Sequence, residues 1–395
     1  MENKLYLLIV EQDLETVMET ICHTFGLQNK GTGNTVEANN GRMELSIWVF
    51  PKGMEETEAF FKEQTNAVWG HFHGVETEYT DHKLNMLYQI QGSGSFVIVK
   101  YRCEDEDHAQ VTALLEQLAG LLHRIEGLLL ADNGRKILDK ELRLVLSDEG
   151  DSELACFFPA ERPLPPDFFD GAPPERVARR NRSVEFLRNK GIYVTEWLPL
   201  IEGEEDCHFR TVQEVAQRAA ALLAVALHAE VLMSESMDVK KARSYSDSIT
   251  KAFGCKSAFS PEEKAFLKKK TPEQKEAIRF SWQYECLYVM LWALGLIKEL
   301  SFPDSICDVG ASVRIMNENN SLEQLLGVST LRTREELLNE ADLIYRMDWG
   351  CVDARIKGLP MPRKLEGGVV MERHKCLNWL IGADNAQWDD VDVST

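Results

Sequence analysis

Residues 151–174, DSELACFFPAERPLPPDFFDGAPP, hold six of the chain's thirteen prolines. Each proline fixes φ and lacks a backbone donor, so neither a regular helix nor a regular strand runs through such a stretch. At 395 residues the chain is also longer than one hydrophobic core usually serves. Together these facts predict two domains, 1–150 and 175–395, joined by a proline-rich linker at 151–174. The phenylalanines in the linker predict that it docks on a folded surface.

The pattern differs on the two sides of that linker. Before it, strand-like and helix-like stretches alternate. KLYLLIV (4–10) reads as a buried strand, and LETVMETICHTFGL (14–27) has helical spacing at Val17, Ile21 and Phe25. MELSIWVF (43–50) reads as a strand and EETEAFFKEQTNAVWGHF (55–72) as a helix. KLNMLYQIQGSGSFVIVKY (83–101) reads as two strands around a Gly-Ser turn at 92–95. A helix at 107–125 follows, then short strands at 127–131 and 141–147. The order βαββαβ predicts an α+β domain of ferredoxin-like, split βαβ sandwich type.

After residue 175 the signals are helix starts and stops. Pro174 suits a first turn and Gly191 a C-terminal cap. TVQE (211–214), SPEE (260–263), TPEQ (271–274) and TREE (333–336) read as capping boxes or their proline variants. GGVVMERHKCLNWLIG (367–382) closes the set. This second domain reads as all-α.

Charge and cysteine usage limit the partners. The net charge is −20, and residues 1–150 hold 13 Lys and Arg against 25 Asp and Glu. Nucleic-acid affinity comes largely from cations neutralising phosphates, so a nucleic-acid binder is disfavoured, as is an anionic membrane surface. A basic protein partner fits better. The nine cysteines are scattered and form no CxxC pair, which suits a reducing cytoplasm and no zinc site. The N-terminal MENKLYLLIVEQD lacks the basic start and long apolar core of a signal peptide. The run CLYVMLWALGLI (286–297) is too short to span a bilayer. HExxH, P-loop, GxSxG and dinucleotide fingerprints do not occur, so no cofactor and no metal centre is expected. GTGN (31–34) and GSGS (92–95) read as turns, and His71 and His73 as packing or surface residues. Asp389, Asp390 and Asp392 in the tail WDDVDVST read as a plain acidic terminus more readily than as a cation site.

The candidate chemistry lies in the helical half, which holds six of the eight tryptophans. On the helix from 334, Asp342, Arg346, Trp349 and Asp353 follow steps of four, three and four and share a face. On the helix from 272, Trp282, Glu285, Val289 and Trp292 share a face. In the last helix Glu372 and Trp379 share one, as do His374 and Asn378, with Arg373 between. Trp388 follows in the tail. A charge inside an apolar helix must be paired or shift its pKa until neutral, so Glu285 calls for Arg346 or Arg373. Two readings follow. Either these groups form a buried polar network between tryptophans, or they line a pocket in which carboxylates and a histidine do acid–base work and an arginine holds a small anionic ligand.

With those residues in view, the second half resembles the bacterial domain of unknown function 4272 family over roughly 175–395. The resemblance rests on RSVEFLRNKGI (182–192), RTVQEVAQRAAALLAVA (210–226), SPEEKAFL (260–267), FSWQYECLYVMLWALGLIKELSFP (280–303), LRTREELLNEADLIYRMDWGCVDAR (331–355) and VVMERHKCLNWLIG with WDDVDVST. It implies a helical, intracellular domain whose motif residues include Tyr345 beside those already named. It implies no activity. It does imply an aromatic or histidine before Trp349, where this chain has Asp348. Residues 1–150 resemble no family. The reading favoured at this point is a non-enzymatic cytoplasmic protein, with an acidic domain that contacts a partner and a helical domain that binds a ligand or a second protein. The alternative is a hydrolase or transferase using the Glu/His/Arg cluster.

Overall fold

The computed structural model describes residues 3–27, 33–39, 43–103, 108–234 and 237–395. The chain divides into two compact units. One comprises Met1–Phe168 with Thr195–Trp197, the other Phe169–Val194 with Leu198–Thr395.

The first unit is built on a seven-stranded antiparallel sheet. Its elements in chain order are β1 (Asn3–Ile9), α1 (Leu14–Phe25), β2 (Thr35–Asn39), β3 (Met43–Pro51), α2 (Glu58–His73), α3 (Thr80–Gly92), β4 (Ser95–Cys103), α4 (His108–Ile125), β5 (Gly127–Ala131), β6 (Lys136–Leu138) and β7 (Leu144–Ser147). The strand order is β2-β3-β4-β1-β5-β6-β7. Period-two alternation sets the register: Leu7 lies opposite Val97 on β4 and Leu129 on β5. Leu5, Leu7 and Ile9 share a face with Ile47, Val49, Val97 and Val99, and α1 and α4 cover it with Val17, Ile21, Leu118 and Leu121. The opposite face carries Tyr6, Phe50 and Phe96, against which α2 sets Phe60, with ring centroids 4.3 Å from Phe50.

Two expectations are corrected here. Residues 83–92 are not a strand but the end of α3, in which Leu84, Asn85, Met86, Leu87, Gln89 and Ile90 are all buried. Asn85 and Gln89 look like the outward positions of a strand, yet they bind the proline-rich segment: Asn85 donates to the Phe157 carbonyl at 2.7 Å, and Ala160 N donates to Gln89 at 3.1 Å. The segment thus docks on α3 through its backbone. Gly94 follows, pressed so close to the Val10 carbonyl that no Cβ fits. The second correction is β2, a short edge strand paired with β3 that its sparse apolar content hides. Gly31 and Thr32 of the GTGN turn lie outside the described residues.

The second unit is mostly helical: α5 (Pro174–Asn189), α6 (Val212–Ser234), α7 (Val239–Phe253), α8 (Pro261–Lys268), α9 (Gln274–Ser281), α10 (Gln283–Ala293), α11 (Val309–Glu318), α12 (Leu322–Val328), α13 (Arg334–Ile356) and α14 (Gly367–Ile381). The boxes at Ser260/Glu263 and Thr333/Glu336 are formed, as is the Thr211/Glu214 pair. At α9 the box sits two residues later than TPEQ implies, on Glu273 and Glu276. The helix expected to run from 272 through Trp292 breaks at Trp282, which ends α9 and begins α10. By length and composition α6 could cross a bilayer, but most of it is buried in this unit's core, where α10 is also buried all round.

Candidate functional site

Three helices carry the candidate residues: α10, α13 and α14. Glu285 enters the first turn of α10 and is buried. Its cation is Arg373 of α14, with Nε donating to Oε2 at 3.3 Å. The backbone N–H of Cys307 donates to the other carboxylate oxygen at 2.5 Å. Arg373 also donates to the Ser301 carbonyl at 2.5 Å, and its guanidinium lies 5.4 Å from the Tyr288 ring centroid. Glu285 is therefore satisfied on both oxygens, as a buried carboxylate must be to remain charged.

Arg346 is not placed to clamp a ligand. It is 0% exposed, and its fork lies on Asp342 one turn earlier, with Nε and Nη2 each 2.9 Å from a carboxylate oxygen. Nη2 also reaches the Pro199 carbonyl at 3.4 Å. Nη1 has no hydrogen-bond partner among the described residues. Such bidentate pairing uses the planar fork within a single helix.

Glu372 and His374 behave differently, because each lines a cleft. Glu372 borders one of about 260 Å³, together with Arg279, Lys375, Gln283 and Trp388. Burial raises its pKa above the usual carboxylate range, against the lowering effect of the Cys286 thiol, whose Sγ lies 3.3 Å from Oε2. Burial in turn pushes the Cys286 thiol well up, so it is no nucleophile at neutral pH. His374, two residues further on, borders a second cleft of about 200 Å³ with Tyr345, Asn378, Glu202, Asp384 and Asp392. Its Nδ1 lies 2.8 Å from Asp348 Oδ2 on α13. A carboxylate at Nδ1 fixes the orientation of the ring at the wall of the cleft.

The remaining candidates pack. Arg332 lies 4.7 Å from the Trp292 ring centroid and donates to the Trp292 carbonyl. Trp349 meets Tyr193 edge to face, and Asp353 pairs with Lys357 at 2.7 Å. Trp379 meets Trp388 edge to face, with ring centroids 5.7 Å apart. Trp282 crowds Gly368 at the start of α14, where a Cβ would come within 2.9 Å of its ring. Asn378 donates to the Asp392 carbonyl at 2.9 Å and so ties the tail to α14. Asp389 accepts from the Glu262 backbone N–H at 3.0 Å. Among the described residues no group of three His, Cys, Asp or Glu could hold a metal ion.

A model of a family described as a domain of unknown function (DUF4272) matches residues 179–391. The chain belongs to the DUF4272 family. The match spans every candidate residue and lies almost wholly in the helical unit, while no family model matches the sheet unit. No curated protein and no solved structure matches the chain.

The DUF4272 domain also holds polar groups that the spacing of residues did not single out. Arg218 of α6 and Glu263 of α8 form a buried bidentate pair, with Nη1 2.8 Å from Oε2, and Gln283 donates to the same carboxylate at 2.7 Å. The Arg218 guanidinium lies 3.8 Å from the Trp388 ring centroid. His228 of α6 is fully buried, with Nδ1 3.1 Å from Ser246 Oγ. Burial and nearby Arg243 lower its pKa to about 4, so it is neutral at pH 7. Asp348 stands out in the sequence only as a departure from the family pattern, because one carboxylate beside Trp349 carries no spacing signal that points to its partner. Its partner lies 26 residues away on another helix.

Proposed function

We propose that the DUF4272 domain is a non-enzymatic binding module whose ligand site is the cleft at His374. The observation that carries this reading is the placement of His374, oriented by Asp348 at the wall of a cleft, in a domain where Arg218–Glu263, Arg346–Asp342 and Arg373–Glu285 are buried pairs. Glu285, Arg373, Asp342 and Arg346 form the scaffold that orients α10, α13 and α14. We further propose that the acidic sheet unit contacts a basic partner in the cytoplasm. The nine free cysteines, six of them buried, support a reducing compartment. A split βαβ, ferredoxin-like core is proposed for β3-β4-β1-β5 with α1 and α4. Its support is the antiparallel order of those four strands and the packing of both helices on one face.

A thermal-shift screen of the whole chain tests the binding reading. A ligand at about a hundred times its Kd adds roughly 2.7 kcal/mol, which moves a domain of this size by several degrees. A hit lost in a folded His374→Phe variant supports the site. Hits that survive this substitution overturn it.

A second reading has its own support. Asp348 behind His374 is the arrangement that lets an imidazole act as a general base, as a hydrolase or transferase would need. Turnover of a screening hit, abolished by His374→Phe and strongly reduced by Asp348→Asn, would favour catalysis over binding alone.

A further inference from the structure

The cleft at Glu372 holds an unmet acceptor and an unpaired cation. Gln283 lines it and is only 7% exposed. Its Nε2 donates at 2.7 Å to the Glu263 carboxylate, which Arg218 also binds. A carboxylate only accepts, so the amide cannot be turned round. That leaves Gln283 Oε1 buried, with no hydrogen-bond partner among the described residues. A buried acceptor in this position calls for a donor. Glu372 lines the same cleft and meets the Cys286 thiol, but it forms no ion pair among the described residues. Lys375, one turn further along α14, forms none either, and its Nζ lies 5.3 Å from the Trp388 ring centroid. Arg279 is exposed and paired with Glu262 at 2.9 Å, and Asp389 accepts from the Glu262 backbone N–H. The rest of the lining is apolar, with Phe280, Met371, Val391 and Val393.

We propose that this cleft binds a free α-amino acid with an apolar side chain. The ammonium donates to Gln283 Oε1 and to Glu372, the carboxylate meets Lys375 with Arg279 beside it, and the side chain lies against Met371, Val391 and Val393. The class follows from what the wall leaves unmet. A simple anion would leave Gln283 Oε1 without a donor and would face Glu372. A simple cation would face Lys375. A neutral apolar molecule would strip water from both charged groups and return nothing to them. A zwitterion answers the acceptor and both charges at once. The volume, about 260 Å³, lies below the range of about 300–1,000 Å³ usual for drug-sized ligands, which suits a molecule of this size. Of the residues that line this cleft and the one at His374, only Val391 is common to both, so this is a second site and does not rest on the first.

The test is isothermal titration of the full chain with leucine, methionine and phenylalanine. Each is compared with the same molecule lacking its ammonium and with the same molecule lacking its carboxylate. For leucine these are 4-methylpentanoate and 3-methylbutylamine. At least one amino acid should bind, and both of its halves should bind at least about 5-fold more weakly. Glu372→Gln should weaken the amino acid by about 10-fold, the scale of a hydrogen bond to a charged group, and erase most of its advantage over the carboxylate half. Lys375→Met keeps the alkyl stem over Trp388, and should cost about 5-fold and erase most of the advantage over the amine half. Arg279→Gln alters only an exposed side chain and should cost about 2-fold even if the other two variants prove unstable. Silence of all three amino acids overturns the proposal. So does either half binding as tightly as the whole, or amino-acid affinity unchanged across the three variants. Binding lost in His374→Phe but untouched by Glu372→Gln and Lys375→Met overturns it too, and moves the ligand to the other cleft. A thermal-shift hit that survives His374→Phe but is lost in Lys375→Met reports this cleft, and only hits that survive both count against the site at His374.

Discussion

The sheet unit keeps its ion pairs at the surface, while the helical unit takes several of its own inside. Among the described residues every salt bridge of the first unit has a member more than a third exposed, as in Arg135–Asp148, Lys140–Glu126 and Arg143–Asp139. In the second unit Arg218–Glu263, Arg346–Asp342 and Glu285–Arg373 are each almost fully buried on both sides. The difference follows from how each unit sets its register. A strand that slips by one residue turns its whole apolar face to water, so a sheet needs no charge to align it. Helices such as α6 and α10, apolar on every side, could pack in many rotations. A buried pair that must meet its partner removes most of them, a role that is itself a hypothesis in any one protein.

Breaking one buried pair gives the largest effect. Asp342→Ala leaves the Arg346 guanidinium buried without its carboxylate and should destabilise the helical unit by about 3–5 kcal/mol. Five of the eight tryptophans lie in this unit, so fluorescence in urea reports chiefly on it. The double variant Asp342→Leu with Arg346→Met should recover most of that loss, because no charge is left to desolvate. If the single variant is as stable as the parent, the pair does not hold the unit together and the contrast with the sheet unit fails.

The next effect is pH-dependent. His228 has an ordinary value of 6.5 when unfolded and about 4 when folded. Between those values the unfolded chain binds a proton that the folded chain refuses, so stability is full above pH 6.5 and falls as the pH drops towards 4. The difference of about 2.5 units corresponds to about 3 kcal/mol at most. Urea midpoints at pH 7, 5.5 and 4.5 should therefore fall more steeply for the parent than for His228→Gln. Parallel slopes would mean that His228 is protonated in place.

How much of this could be read beforehand depends on the range of the signal. Strands β1, β3 and β5, helices α1, α2 and α4, and the boxes at Ser260 and Thr333 follow from neighbours within a few residues, and the sequence carries them plainly. Helix α3 does not, because Asn85 and Gln89 are buried by the linker some 70 residues later and so imitate strand alternation. The candidate site divides the same way. Spacing put His374 with Asn378 on one face, and both line the same cleft. It could assign Glu285 only to Arg346 or Arg373, and the pairing with Arg373 joins α10 to α14. Arg218 and His228 carry no such signal, since each is defined by a partner on another helix, and Asp348 stands out only as a departure from the family pattern, not as the partner of His374.

A smaller effect of opposite sign to that of His228 is expected at Glu372. Burial raises its folded pKa above 4.5, so the folded chain holds a proton that the unfolded chain releases, and stability declines as pH rises through that window. Glu372→Gln removes the ionisation and should make the helical unit less sensitive to pH between 4.5 and 7. If parent and variant lose stability equally across that range, the carboxyl is ionised in the folded state and the cleft beside it is wetter than its burial implies.

The smallest effect belongs to the surface of the sheet unit. Arg135 bonds to Asp148 at 2.8 Å and reaches Glu149 at 3.3 Å, a closest approach as short as that of Arg346 to Asp342. Water, however, solvates both partners in the unfolded chain and most of the arginine in the folded one, so little is gained when the pair forms. Arg135→Ala should leave the thermal midpoint of the whole chain where it is, and added salt should not change that outcome. Asp342→Ala removes an arginine–carboxylate pair of the same type in the helical unit, yet it should collapse a transition. A clear loss of stability in Arg135→Ala would show that bond geometry, and not burial, sets the worth of an ion pair in this protein.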